Sequence, residues 1–197
     1  MALPTIQMPI TEHSWPEQGQ WTYSDWLRLP NDGFRYEIIA GELFVSPSPT
    51  IDHQNAASEL VAAMRTYARR EKLGLVLTAP VGVLLPGQDT IVQPDVLFVS
   101  KARLEIVSSD IIDGTPDLVV EVLSPSNWVY DRGRKQKTYE QAGVREYWIV
   151  DYRARTVDVL VLEGREFVQR GQYREGDAAP SEALPGFAIA VADIFTR

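Results

Sequence analysis

Pro116-Asp117-Leu118-Val119-Val120-Glu121-Val122-Leu123-Ser124-Pro125-Ser126 is the stretch that sets the fold. Five of the seven residues from 118 to 124 are branched and apolar, as in a central strand covered on both faces. Glu121 stands in the middle of that run. A carboxylate there must be paired, protonated or bound to a cation, because burying it bare costs several kcal/mol or more. Two readings are open at this point: an acid of a functional site, or a structural Glu paired to an Arg or Lys of a neighbouring element. Pro125 stops the strand, and Ser126 or Asn127 can cap a following helix.

Outward on the C-terminal side, residues 127–142 read as a helix closed by Gly143. Asp131, Lys135 and Tyr139 recur at i, i+4 and i+8 and share one stripe. Lys135 can lean back over the strand end, and an Asp131–Lys135 surface pair is the plainer use of the same spacing. Residues 145–151 and 156–162 give two more strands, expected as neighbours in one sheet; 166–173 adds an edge strand, and Pro185-Gly186-Phe187 leads to a short tail.

On the N-terminal side, residues 1–20 carry Pro4, Pro9 and Pro16 and read as an extended arm, leaving 21–197 as a single domain. Thr22 or Ser24 can cap a short helix through Trp26. Residues 34–39 and 42–45 alternate like strands around Ala40-Gly41, a hairpin signal. Ala56, Leu60, Ala63, Met64 and Tyr67 mark a helix over 52–72, with Asp52 at its start, Arg69, Arg70 and Lys72 at its end, and Gly74 closing it. Residues 75–85 read as a strand interrupted at Pro80, and 92–99 as one strand containing Pro94-Asp95. Strands, a long helix, strands, a helix and strands make an α/β or α+β core, a mixed central sheet flanked by helices.

The 197 residues suffice for one full core, with 45% apolar and 23% charged residues. Cysteine is absent, which excludes disulfides, thiolate metal sites and a cysteine nucleophile. No apolar run spans a bilayer, so no membrane partner is expected and a cytoplasmic location is. The net charge of −8 disfavours broad nonspecific attraction to nucleic acid. It is unevenly spread: residues 1–60 carry eight acids against Arg28 and Arg35, whereas 127–155 carry seven bases against four acids. Solvated helix faces or a small basic surface both give that count.

Glu37, Asp95 and Glu121 all fall on predicted strands. If the strands of Asp95 and Glu121 pair, their carboxylates can converge on one hard cation. Mg²⁺ is held by one or two carboxylates while keeping waters that phosphate oxygens can replace. Along the strand, Glu121 shares its face with Val119 and Leu123, so no cation stands two residues beyond it and Lys135 is the nearest candidate. The chain has no Walker-type phosphate loop, its two histidines lie far apart, and Ser124 and Ser126 are not in a nucleophile elbow.

Pro94-Asp95-Val96, the string from Asp117 to Ser126, Asp131 with Lys135 and Tyr139, and Gly143-Val144-Arg145-Glu146-Tyr147-Trp148-Ile149-Val150-Asp151 together resemble the bacterial putative restriction endonuclease family of the PD-(D/E)XK nuclease superfamily. Tyr36-Glu37-Ile38-Ile39-Ala40-Gly41-Glu42-Leu43 and His53 also look like its pattern, and the resemblance covers about residues 22–195. It implies a restriction-endonuclease-like core and an Mg²⁺- or Mn²⁺-dependent endonuclease acting on DNA. It implies Asp95 and Glu121 as metal-binding acids, Glu37 as an additional catalytic acid, and Lys135 as the catalytic lysine moved from strand to helix. Leu123 departs from the superfamily motif, which has Lys there, although the family shares an apolar residue at that place. His53 is read as a helix-start residue or one that supports a ligand, outside the metal site.

A non-catalytic binding or regulatory module, with Glu121 and Lys135 as a buried pair, is the alternative. A two-carboxylate glycoside hydrolase has only scattered tryptophans to support it. Symmetric cutting of a duplex suggests a homodimer, with the aromatic strand at 146–152 as its interface.

Overall fold

The computed structural model describes residues 14–87, 89–123 and 128–196. In chain order its elements are α1 (Tyr23–Trp26), β1 (Arg35–Ile39), β2 (Glu42–Ser46), α2 (Ile51–Glu71), β3 (Gly74–Thr78), β4 (Gly82–Leu85), β5 (Thr90–Val92) and β6 (Val96–Ser100). There follow β7 (Ile111–Asp113), β8 (Leu118–Val122), α3 (Trp128–Ala142), β9 (Glu146–Asp151), β10 (Thr156–Glu163) and β11 (Glu166–Arg174). A small hairpin of β12 (Ala178–Pro180) and β13 (Ala188–Ala190) precedes α4 (Val191–Ile194). The helix-start residues expected at Ser126 and Asn127, and the Asp131–Lys135 pair, fall outside the described side chains.

The stretch around Glu121 forms β8, an inner strand of a six-stranded mixed sheet ordered β11-β10-β9-β8-β6-β3. Only its β8–β9 pair is parallel, and α3 is the crossover that a parallel pair requires. Every residue of β8 is buried. Leu118, Val120 and Val122 pack with Ala56, Leu60 and Met64 of α2 and with Phe187 and Ile189 of the C-terminal segment. Val119 and Leu123 face the other way, onto Tyr139 of α3 and Val83, Leu85 and Val92. The expected alternation therefore holds, and Glu121 lies on the face of Val119 and Leu123.

Those last valines and leucine belong to a second sheet, ordered β2-β1-β5-β4-β7, packed against the mixed central sheet that was expected. Residues 92–99 are accordingly not one strand. Pro94 supplies no N–H to a ladder, and the chain passes there from β5 in one sheet to β6 in the other. Asp95 stands at that passage, just ahead of β6.

Local chemistry accounts for the ends of the elements. Thr22 and Asp25 close a capping box on α1. Ala40 and Gly41 both take positive φ, 52° and 77°, the turn that joins two twisted antiparallel strands with a two-residue loop. Gly41 O accepts from Gly19 N and Trp21 N, so the chain ahead of α1 lies against the β1–β2 hairpin. Thr50, rather than Asp52, caps α2 through its side chain. Lys72, rather than Gly74, takes the left-handed position at its end, with φ 57°. Gly74 is needed for another reason: a Cβ there would lie 2.1 Å from Val99 O. The expected strand at 146–152 is interior, with Tyr147 and Trp148 fully buried. It therefore cannot supply a dimer interface.

Candidate active site

On β1 the alternation of the strand sends Arg35, Glu37 and Ile39 to one face. Ile39 packs into the layer between the two sheets, and Arg35 and Glu37 are carried toward the same layer. From the other side comes α3, whose Lys135 and Tyr139 are one turn apart. Lys135 Nζ lies 2.9 Å from Glu37 Oε2 and 3.1 Å from Glu121 Oε1. Tyr139 donates to Glu121 Oε1 at 2.6 Å, and Gln93 N donates to Glu37 Oε1 at 2.7 Å.

Asp95 belongs to the same cluster. The β6–β8 register runs Val96 opposite Val120, and one further step sets Asp95 across from Glu121. Its Oδ2 accepts from Val122 N at 2.8 Å, doing at the strand end what a main-chain carbonyl would do inside the ladder. Its Oδ1 lies 2.8 Å from Arg35 Nη1 and 3.1 Å from His53 Nε2. His53 is buried in the first turn of α2, and its Nδ1 is a buried atom with no partner among the described residues.

Glu37, Asp95, Glu121 and Lys135 are each at most 5% exposed, and the structure brings all four together from four segments. Their electrostatics follow from burial. Burial pushes Glu121 up to about 8, with the charges of Asp95 and Glu37 adding to it and Lys135 and Tyr139 opposing. Burial would raise Asp95 too, but the hydrogen bond from His53 and the charge of Arg35 hold it well below the ordinary carboxylate range. Burial, and next the charge of Glu121, raise Tyr139 well above its usual value.

Three residues of the cluster add to the expected set. Arg35 and His53 hold Asp95, and Tyr139 holds Glu121. The spacing of Arg35 and Glu37 at i and i+2 is the one signal by which Arg35 could be found in the sequence. His53 gives its place at a helix start and its likeness to the family pattern, and only the tertiary fold shows that it is buried against Asp95.

The chemistry of the donors fits a hard divalent cation. Two carboxylates share one face, and the three acids, when ionised, exceed Arg35 and Lys135 by one charge when His53 is neutral, an excess that adds to the effect of burial on Glu121. Among the described residues no group of three or more His, Asp or Glu side chains stands close enough to hold a metal unaided. The fit is thus to an ion that keeps waters and takes two protein oxygens, as Mg²⁺ does.

Other buried acids are engaged structurally. Asp117 accepts from Ser100 N at 2.8 Å and pairs with Arg103 and Arg145. Glu146 accepts from Trp148, Ser181 and Ala183. Of the bases counted between 127 and 155, Arg134 pairs with Glu42, Arg145 with Asp117 and Arg155 with Glu175, so that excess of positive charge is partly spent within the molecule. Among the described residues no helix is long and apolar enough to cross a membrane.

The mixed sheet, its parallel β8–β9 pair bridged by α3, and the acids gathered at the strand ends define the restriction-endonuclease-like class of α+β folds. Residues 23–192 match the model of the Uma2 family, described as putative restriction endonuclease, and the chain belongs to that family. A crystal structure of a putative nuclease belonging to DUF820 from Anabaena variabilis ATCC 29413 has the same fold, with a TM-score of 0.73. It is 19% identical, and the match covers 88% of this chain and 97% of that one. No curated protein matches the chain.

Proposed function

We propose that this member of the family is a Mg²⁺- or Mn²⁺-dependent endonuclease that hydrolyses phosphodiester bonds of DNA, working in the PD-(D/E)XK manner. The observation that carries the reading is the meeting of Asp95, Glu121, Glu37 and Lys135 in one buried cluster at the strand ends. Asp95 and Glu121 would hold the cation, which when bound supplies Lewis acidity to a phosphate oxygen. Lys135 would orient the attacking water and offset charge developing on the phosphate, since it reaches both flanking acids from α3. Tyr139 fixes the rotamer of Glu121 through its 2.6 Å bond. Cutting both strands of a duplex would take two such sites, hence a homodimer, which sedimentation of the protein on duplex DNA would detect.

The test is nicking of supercoiled plasmid with Mg²⁺ or Mn²⁺. Asp95→Asn and Glu121→Gln are expected to lower the rate about 100-fold or more. Equal rates in all three proteins would overturn the reading.

A second reading has its own support. Asp95 is paired to Arg35 and His53, and Leu123 stands where the superfamily motif has Lys. Under it the chain is a non-catalytic binding or regulatory module. Then Mn²⁺ would leave the melting temperature of wild type unchanged, whereas a bound ion raises it in wild type and not in Asp95→Asn.

A further inference from the structure

Arg35 occupies Asp95 where a cation would have to bind. One Asp95 oxygen, Oδ2, is tied to Val122 N, and the other receives both Arg35 Nη1 and His53 Nε2. Mg²⁺ sits about 2.0–2.1 Å from a carboxylate oxygen. An ion at that distance from Oδ1 would crowd whichever cationic or N–H group shares it. His53 is not free to yield, being enclosed beneath the first turn of α2 with its backbone N bonded to Thr50. Arg35 can yield. Its side chain is 20% exposed, against 8% or less for every other member of the cluster, and it is the first residue of β1.

Charge counting points the same way. With Arg35 in place and an ion added, the cluster would carry one excess positive charge when His53 is neutral. With Arg35 withdrawn, three carboxylates balance one ammonium and one divalent ion, the condition that low-dielectric burial favours. The withdrawn guanidinium stays at the rim, where its planar fork suits phosphate oxygens.

We propose that Arg35 is the resting counter-ion of Asp95, that a divalent cation displaces it, and that the released guanidinium then binds the backbone phosphate of the nucleic acid. This rests on the nuclease reading and adds to it a positioning residue and an order of events. Arg35 thereby keeps the cluster closed until the ion arrives.

Mn²⁺ binding read by electron paramagnetic resonance tests the first half. Arg35→Gln is expected to bind Mn²⁺ about tenfold or more tightly than wild type, because the competitor is gone. Binding of a DNA duplex with Ca²⁺ in place of Mg²⁺, read by fluorescence anisotropy, is expected to weaken about tenfold in the same variant. On the wild-type protein, the Arg35 Nε–Hε resonance is expected to change from a protected to a solvent-averaged signal as Mg²⁺ is added, which needs no variant to fold. Unchanged or weaker Mn²⁺ affinity in Arg35→Gln, or an Arg35 resonance indifferent to saturating Mg²⁺, would overturn the displacement while leaving the metal site standing. Failure of wild type and Arg35→Gln alike to bind Mn²⁺ would instead remove the nuclease reading, and the displacement with it.

Discussion

Lys135 reaches Glu37 and Glu121 within 2.9 and 3.1 Å in a place closed to water. Removing it leaves two carboxylates with no ammonium between them. Lys135→Met is expected to cost about 3–5 kcal/mol in denaturant unfolding. Adding Glu121→Gln to that variant is expected to restore part of the loss, since one uncompensated charge goes with it. Glu121 also gives the protein a pH signature. Its folded value, about 8, is above that of a free glutamate, so the folded state holds the proton more firmly. The stability this contributes is complete at low pH and is lost as pH rises through about 8. Wild type is expected to melt lower at pH 8 than at pH 5, by an amount on the order of a few kcal/mol in stability, and Glu121→Gln to flatten that slope. Asp95, shifted downward, acts only in acid and adds nothing between those pH values. Comparing the two melting profiles cancels the groups they share.

At the level of elements, most of the secondary structure could be read from periodicity. The long helix, the hairpin at Ala40-Gly41 and the strand of Glu121 each have a local pattern that tertiary packing reinforces. What periodicity does not carry is partnership. Residues 75–85 read as one strand interrupted at Pro80 and 92–99 as one strand, yet each is divided between two sheets, with Pro80 and Pro94 at the divisions. The same limit applies to the site. Glu121 stood out because a charge in an apolar run demands an explanation, and Lys135 and Tyr139 by their helical spacing. Arg35 looks like an ordinary polar residue at the end of an element, and His53, though it resembles the family pattern, shows its contact with Asp95 only once the fold is formed. Gly74 belongs to this scale as well, because β3 and β6 meet backbone to backbone there. Gly74→Ala is expected to destabilise by about 2 kcal/mol or more, measured by thermal melting, since its Cβ would press on Val99 O.

Over the whole molecule, the C-terminal segment is what covers the α2 side of the central sheet, through Phe187, Ile189, Val191 and Ile194. Glu146 fastens it: one carboxylate takes Ser181 and Ala183 from that segment and Trp148 from its own strand. Glu146→Ala is expected to leave those buried donors without an acceptor, to cost about 3 kcal/mol or more, and to hasten proteolysis after residue 175. The four charged residues first inferred for the site, and the three the structure adds, come from both sheets and both long helices. During synthesis, Arg35, Glu37 and His53 leave the ribosome while Lys135 and Tyr139 have still to be translated. The two layers cannot dock over naked carboxylates, so a growing chain has every reason to keep this cluster open and wet. A product that ends before residue 135 carries Arg35, Glu37, His53, Asp95 and Glu121 but has no lysine to set between its acids.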